Sequence, residues 1–367
     1  MPHAGAKGGA ARVAPRGRGP FLGAMRPRQF ASDTYAGMHP AVLAAMVEAN
    51  TEHAAAYGDD TWTRRAADRI REVFAHDAEV FFCLTGTAAN ALALAHLCQS
   101  YHSVLAADCA HVETDECGAP EYASNGSKLI LIPAVDGRID PAGIREAATR
   151  RKDIHFPKPR AVTISNTTEL ATVYTPEQVA AIGAACRELG LVLHCDGARF
   201  ANAVAANGCH PADLTWRAGV DVLCFGGSKN GAFATEAVVF FDRRQAREFE
   251  YRCKQAGQLI SKMRFVAAPW VALLDGERWL DNGRNANASA RALAAAVAGI
   301  PGVTVLRPPT ANAVFADLAP GLAEAMHAKG WHFYNFIGGA HRWMCPWDTR
   351  PEDIAAFAAD LRVCAGG

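Results

Sequence analysis

Apolar positions fall along this chain in two rhythms. Continuous runs of strand length occur at Val80–Leu84, Ser103–Ala107, Leu129–Ile132, Ala161–Ser165, Leu191–Cys195, Val220–Phe225 and Ala237–Phe241. Between them lie longer Ala- and Leu-rich stretches of helical character, near Thr87–Gln99, Pro141–Arg150, Pro176–Leu189 and Ala198–Asn207. Strands apolar on both faces and separated by helices predict an α/β fold: a mostly parallel seven-stranded sheet covered on both sides. The rhythm then changes. A long helix is predicted over Arg243–Gly257, then helices near Ala268–Asp275 and Asn285–Ala298 and strands near Val303–Leu306 and Ala313–Asp317. A helix to Lys329, an apolar run at Trp343–Pro346 and a last helix from Pro351 complete the chain. That order predicts a smaller α+β C-terminal domain over 260–367, after a large α/β domain over 29–259.

Residues 1–28 carry no such pattern. They are rich in Gly, Ala, Pro and Arg and hold no acidic residue, which predicts a disordered extension. An organelle presequence shares the Arg-rich, acid-poor character but needs an amphipathic helix, which these Gly and Pro residues oppose. Met25 serves equally well as the biological start.

Composition narrows the function classes. The chain has 367 residues, half of them hydrophobic and a fifth charged, which excludes a disulfide mini-protein and wholesale disorder. Lys+Arg and Asp+Glu both number 37, so no global field attracts nucleic acid or an anionic membrane, and small molecules are the expected partners. No run approaches the roughly 18 apolar residues of a membrane span, and no secretory signal is apparent; a cytoplasmic protein is expected. The eleven cysteines are scattered and never form C-x-x-C, which suggests neither a disulfide framework nor a metal site.

Three strand ends carry the candidate chemistry. In Leu84-Thr85-Gly86-Thr87-Ala88-Ala89-Asn90 a buried strand stops, glycine lets backbone approach a ligand, and the start of a helix offers free N–H groups to a phosphate. Taken alone, Thr87 reads equally as an ordinary helix cap. In Leu191-Val192-Leu193-His194-Cys195-Asp196 an apolar strand ends in a carboxylate, where open α/β sheets bind ligands. In Val222-Leu223-Cys224-Phe225-Gly226-Gly227-Ser228-Lys229 another runs through glycines into a lysine, whose amine can act as a nucleophile. An anion site, a partner for a pyridinium nitrogen and an amine for an aldehyde are the parts needed to hold pyridoxal 5′-phosphate (PLP). Their order matches the PLP enzymes of fold type I.

From Phe30 to about Leu361 the sequence resembles the low-specificity L-threonine aldolases, PLP-dependent relatives of the β-eliminating lyases. The resemblance is carried by Ala31-Ser32-Asp33-Thr34, Tyr57-Gly58-Asp59-Asp60, Thr85-Gly86-Thr87-Ala88-Ala89-Asn90, Ala110-His111, His194-Cys195-Asp196-Gly197-Ala198-Arg199, Ser228-Lys229 and Lys262-Met263-Arg264. It implies a carbon–carbon lyase that cleaves L-3-hydroxy-2-amino acids, such as L-threonine or L-allo-threonine, to glycine and an aldehyde. Lys229 would hold PLP covalently, Asp196 would pair with the ring nitrogen, and His111 would stack on the ring and serve as first candidate for the base. Gly86, Thr87 and Ala88 would cradle the phosphate, with Ser228 beside them. Ser32, Arg199 and Arg342 would grip the substrate carboxylate, and Arg264 would reach the PLP phosphate of a neighbouring subunit in a homodimer or homotetramer. No metal is implied: the acidic group Glu113, Asp115, Glu116 and Glu121 reads as a solvated or partly buried helix face. His194 reads as core or support for the site. The alternatives are a PLP-dependent β-eliminating lyase acting on serine-like amino acids and a non-catalytic phosphate-binding α/β protein.

Overall fold

A computed structural model describes residues 28–366. The predicted extension therefore lies outside the described residues except for Arg28. Arg28 is anchored: its carbonyl accepts from the His332 N–H, and its guanidinium pairs with Asp360 at 2.9 Å.

The seven apolar runs form one sheet: β1 (Glu79–Cys83), β2 (His102–Ala107), β3 (Lys128–Ile132), β4 (Lys158–Ser165), β5 (Val192–Gly197), β6 (Val222–Gly226) and β7 (Glu236–Phe240). Their spatial order is β1-β7-β6-β5-β4-β2-β3. Strands β3, β2, β4, β5 and β6 are mutually parallel, while β7 runs antiparallel to both β6 and β1. Two reversals restore direction, so β1 points the same way as β6. Four more strands make a smaller antiparallel sheet, β8 (Val303–Val305), β9 (Ala313–Leu318), β10 (Tyr334–Asn335) and β11 (His341–Met344).

The first helices are α1 (Pro40–Ala49), α2 (Thr61–Phe74), α3 (Gly86–Leu97), α4 (His111–Thr114), α5 (Ala119–Ala123), α6 (Pro141–Thr149) and α7 (Pro176–Leu189). They are followed by α8 (Phe200–Asn207), α9 (Phe249–Gln255), α10 (Arg264–Leu273), α11 (Arg278–Val297), α12 (Leu322–Ala328) and α13 (Pro351–Cys364). Helix α7 matches its sequence signals: Thr175 and Gln178 form a capping box ahead of Pro176, and Gly190 ends the helix in the left-handed region at φ 68°. Helix α3 is apolar nearly all round and lies buried, with Asn90 a lone polar residue on its inner side. None of the described helices is long and apolar enough to cross a membrane.

The structure differs from the sequence pattern in several places, and α11 also starts seven residues before the predicted Asn285. The long helix over Arg243–Gly257 is a short turn, Arg243–Ala246, followed by α9. Arg247 is not helical and Glu248 has φ 66°, and this break turns Phe249 into the core against Phe81 and Phe240. Helix α10 starts at Arg264, four residues before the predicted start, and holds Pro269 inside it; a proline costs one backbone bond but does not end a helix fixed by tertiary packing. Helices α1 and α2 were not singled out by the apolar pattern, although Ala66, Ala67, Ile70 and Phe74 give α2 a buried stripe.

The largest apolar cluster packs against the seven-stranded sheet; the second gathers α11, α13, β9 and β11 around Trp343 and Phe357. We propose the division near residue 260 as the domain boundary; side-chain packing crosses it, since Met263–Trp279 join the first cluster. The N-terminal segment crosses the other way. Phe30 stacks on Trp331 in the second cluster, and its backbone bonds to His332 and Met344 fix the residues that follow. Ser32 and Asp33 are thereby carried to the edge of the large sheet.

Candidate active site

Strands β1, β2, β4, β5 and β6 all end on the same edge of the sheet, the edge where ligands bind in such folds. Thr85–Ala88 follows β1, His111 follows β2, Glu169 lies in the loop after β4, Asp196 closes β5 and Lys229 follows β6. The antiparallel β7 begins here with Glu236, opposite Gly226.

The turn after β1 has the form of an anion cradle. Thr85, not Thr87, is the helix cap: its hydroxyl accepts the Ala88 N–H at 3.1 Å, and its carbonyl accepts the Ala89 N–H. The first-turn N–H groups of Gly86 and Thr87 are left for an outside acceptor at the positive end of α3. A Cβ on Gly86 would point into open space. Ala88 is already capped, so its amide is the least suited of the three.

The lysine turn is packed tightly from beneath. A Cβ at Gly226 would lie 2.4 Å from the Ala198 carbonyl oxygen, and one at Gly227 would lie 2.7 Å from that of Thr235. The Gly227 N–H donates to Glu236 Oε2 at 2.9 Å, and Ser228 Oγ accepts the Thr235 N–H at 3.2 Å. Ser228 is thus turned toward its own loop. Burial pushes the Glu236 carboxyl up to about 7 despite Ser228 and the Gly227 N–H. Lys229 stands within electrostatic reach of Asp33, His111, Glu169 and Glu236.

Asp196 is buried and doubly held. Oδ1 accepts the Ala198 N–H and Oδ2 accepts Asn90 Nδ2, each at 2.9 Å. Asn90 Nδ2 also donates to Glu116 Oε1 at 2.9 Å, and that oxygen meets His111 Nδ1 at 2.8 Å. Glu116 is therefore no solvated helix face. Helix α4 is one turn long, and the chain reverses at Cys117 and Gly118, which carries Glu116 inward while Glu113 and Asp115 stay exposed. The hydrogen bond to Glu116 raises the His111 pKa against the effect of burial, and burial raises that of Glu116 against its bonds to His111 and Asn90. Both shifts mean that this pair retains a proton to higher pH than the free side chains. His194 lies deeper, between Thr163 Oγ1 and Cys224 Sγ, and burial depresses it to about 4. Its place is in the core.

Arg199 is clamped rather than free. Its Nε and Nη2 donate to Asp33 at 2.6 and 3.1 Å, and Asn312 Nδ2 donates to the same carboxylate. Burial alone would raise the Asp33 pKa, but the Arg199 guanidinium, with Lys229 and Asn312, lowers it to about 2. Arg342 is different: its guanidinium lies 4.0 Å over the Phe336 ring, and its buried Nε has no hydrogen-bond partner among the described residues. Burial and the Arg199 charge lower its pKa. A carboxylate would satisfy that nitrogen. Ser32 caps the turn Asp33–Tyr35, its hydroxyl accepting the Thr34 N–H. Arg264 is not tied to this cluster; it donates to the Glu52 carbonyl at 3.2 Å and lies over Phe265.

The structure brings Asp33, Asn90, Glu116, Glu169 and Glu236 to this edge, roles that the sequence reading did not assign. Asn90, a polar residue in an Ala/Leu helix, was the legible signal. The buried atoms Asn90 Oδ1, Glu116 Oε2 and Thr167 Oγ1 have no partner among the described residues. Two free helix amides, a carboxylate, a loop lysine and orphaned polar atoms suit a phosphorylated pyridine aldehyde, so the residues present fit PLP.

The class follows from fold and site together. Aspartate aminotransferase from Thermus thermophilus superposes with a TM-score of 0.70 at 15% identity, over 92% of this chain and 91% of that one, which fixes the architecture as fold type I. Threonine aldolase from Leishmania major gives a TM-score of 0.87 at 28% identity, over 92% of this chain and all of that one. The model of the family described as Beta-eliminating lyase matches residues 29–320. Low-specificity L-threonine aldolases from Pseudomonas aeruginosa and Pseudomonas sp. (strain NCIMB 10558) are 57% identical over 340 and 337 residues, covering 92% of this chain and 98% and 97% of theirs. The chain belongs to the beta-eliminating lyase family, among its low-specificity L-threonine aldolases.

Proposed function

We propose that this protein is a PLP-dependent lyase that cleaves L-3-hydroxy-2-amino acids, L-threonine and L-allo-threonine among them, to glycine and an aldehyde. The 57% identity to low-specificity L-threonine aldolases over 92% of the chain carries the choice of reaction. The geometry alone supports the cofactor, since other PLP reactions would use the same Asp and Lys. When bound, PLP supplies an electron sink for the pair released as a Cα bond breaks.

Around it, Lys229 would hold the aldehyde through its amine. Asp196, fixed by Ala198 and Asn90, would pair with the ring nitrogen. Gly86 and Thr87 hold the phosphate with Ala88 and Ser228 beside them. Arg342, with Arg199 and Ser32, grips the substrate carboxylate and so orients the Cα–Cβ bond for cleavage. His111 takes the β-hydroxyl proton. A homodimer or homotetramer is part of this reading, with Arg264 reaching a phosphate across the interface. A cytoplasmic location is also part of it, supported by eleven cysteines that are all free.

Incubation of the PLP-loaded enzyme with L-threonine tests the proposal. Acetaldehyde and glycine in equal amounts are expected, with negligible turnover of D-threonine. Ammonia with pyruvate from serine, and no acetaldehyde from threonine, would instead assign the chain to β-elimination.

A further inference from the structure

We propose that Glu116 is a positioning residue that holds His111 with Nδ1–H donated inward, so that Nε2 is the nitrogen presented to the substrate β-hydroxyl. This rests on the aldolase reading above. Three observations converge on it. Glu116 has a fully buried side chain, whereas His111 keeps 29% of its side chain exposed, so the imidazole faces the site and the carboxylate stands behind it. Glu116 Oε1 receives both His111 Nδ1 and Asn90 Nδ2, and Asn90 uses the same nitrogen to hold Asp196. Glu116 Oε2, although buried, has no partner among the described residues.

That last feature argues against a purely structural role. A buried carboxyl oxygen without a donor is costly, and a neutral Gln would accept the same two bonds at Oε1 while offering an amide in place of the orphaned oxygen. What a carboxylate adds is charge behind the ring. A histidine whose Nδ1–H is fixed by a carboxylate carries its lone pair on Nε2, and the ion pair stabilises the imidazolium that forms when Nε2 takes a proton. The other charged groups in electrostatic reach of His111 are Glu169, Asp196 and Lys229, and Asp196 also faces Glu116. Two acids favour the imidazolium and the lysine opposes it. Asn90 bridges Glu116 and Asp196 by donating from Nδ2 to both, and so ties the base to the group that would hold the cofactor nitrogen.

The mechanism requires no covalent step at Glu116. The β-hydroxyl O–H proton passes to His111 Nε2 as the Cα–Cβ bond breaks and the aldehyde C=O forms, while the Nδ1 proton remains shared with Glu116. Cα keeps the electron pair of the broken bond and takes its proton from Lys229 to leave as glycine, while the imidazolium releases its own proton to solvent.

The test compares holoenzymes of wild type, Glu116→Gln and Glu116→Asp. Cleavage of L-threonine is measured against pH, and exchange of the glycine Cα proton in D2O is measured alongside. Exchange needs the cofactor and a base at Cα but no base at a β-hydroxyl, so it separates the two roles. Glu116→Gln is expected to lose about ten- to a hundredfold in kcat for cleavage. Its KM and glycine exchange stay within about threefold, and the acidic limb of kcat moves roughly one unit lower as His111 loses its counter-charge. Glu116→Asp regains part of the rate. Parallel loss of cleavage and exchange, or an acidic limb that stays in place, would overturn the assignment. Should the Gln variant fail to fold, ¹⁵N histidine NMR of the wild-type holoenzyme still decides: neutral His111 must be the Nδ1–H tautomer, and an Nε2–H tautomer overturns the proposal. A wild-type enzyme that releases no acetaldehyde from threonine would instead sink the aldolase reading itself.

Discussion

The two ends of the same parallel strands have been built for opposite purposes. At the amino ends of β2, β4 and β5 lies a cavity of about 800 Å³ lined by Tyr101, Ile154, Phe156, Lys158 and Leu191. The ion pair of Arg151 with Asp153 in its wall, and Glu188, which pairs with Arg145 beyond the lining, are close to half exposed or more, and Ile154 is almost fully exposed. At the carboxyl ends Asp33, Glu116, Asp196 and Glu236 are buried, and each is tied to a named donor. Roominess thus does not mark the site. Charge held out of water does, because burying an ionisable group is costly unless neighbouring groups compensate it, and that environment tunes chemistry.

Substitutions at the two edges should therefore diverge. Asp196→Asn keeps the bond to Ala198 but offers the cofactor nitrogen a neutral amide; we expect PLP binding to persist and kcat to fall roughly a hundred- to a thousandfold. Turnover assays with absorption spectra check this, and normal turnover would reduce Asp196 to a structural role. Asp33→Asn strips Arg199 of its buried counter-ion and should cost about 3–5 kcal/mol in denaturant unfolding. The Asp33 pKa is depressed from 3.8 to about 2, so its stabilisation is complete above the unfolded value and is lost as pH falls from 3.8 toward 2. The difference between wild type and the variant should shrink across that window.

Glu236→Gln tests the opposite sign. This carboxyl is raised from 4.5 to about 7, so its contribution is complete below 4.5 and is lost as pH rises through 7. The Gln variant should lose that dependence and gain roughly 1–3 kcal/mol on wild type at pH 8 relative to pH 5. An identical pH slope in the two proteins would mean that Glu236 titrates normally. At the amino edge, Arg151→Ala removes an exposed pair and should change stability by less than about 0.5 kcal/mol, with turnover unaffected. A tenfold loss of activity there would erase the contrast between the edges.

What the sequence showed and hid divides along the same physical line. All seven strands of the large sheet were legible within a few residues, because buried strands are local apolar runs. Asp196 and Lys229 were legible because each ends such a run. The Asp33–Arg199 pair joins residues 166 apart, and Asn312 reaches Asp33 across 279, distances at which no periodicity speaks. Glu116 was misread because a one-turn helix and a left-handed Cys117 redirect it, a change of direction that composition does not reveal. The break at Glu248 was missed for the same reason: the burial of Phe249, not local preference, decides it.

In the proposed function, the carboxyl edge holds PLP through Lys229. Borohydride reduction of the holoenzyme followed by peptide mapping tests it most directly, because reduction fixes the cofactor to whichever amine carries it. One pyridoxyl group per chain is expected, on Lys229, and none in a Lys229→Ala variant that remains folded and inactive. A pyridoxyl group on another lysine such as Lys262, or a wild-type protein that takes up no PLP at all, would contradict it.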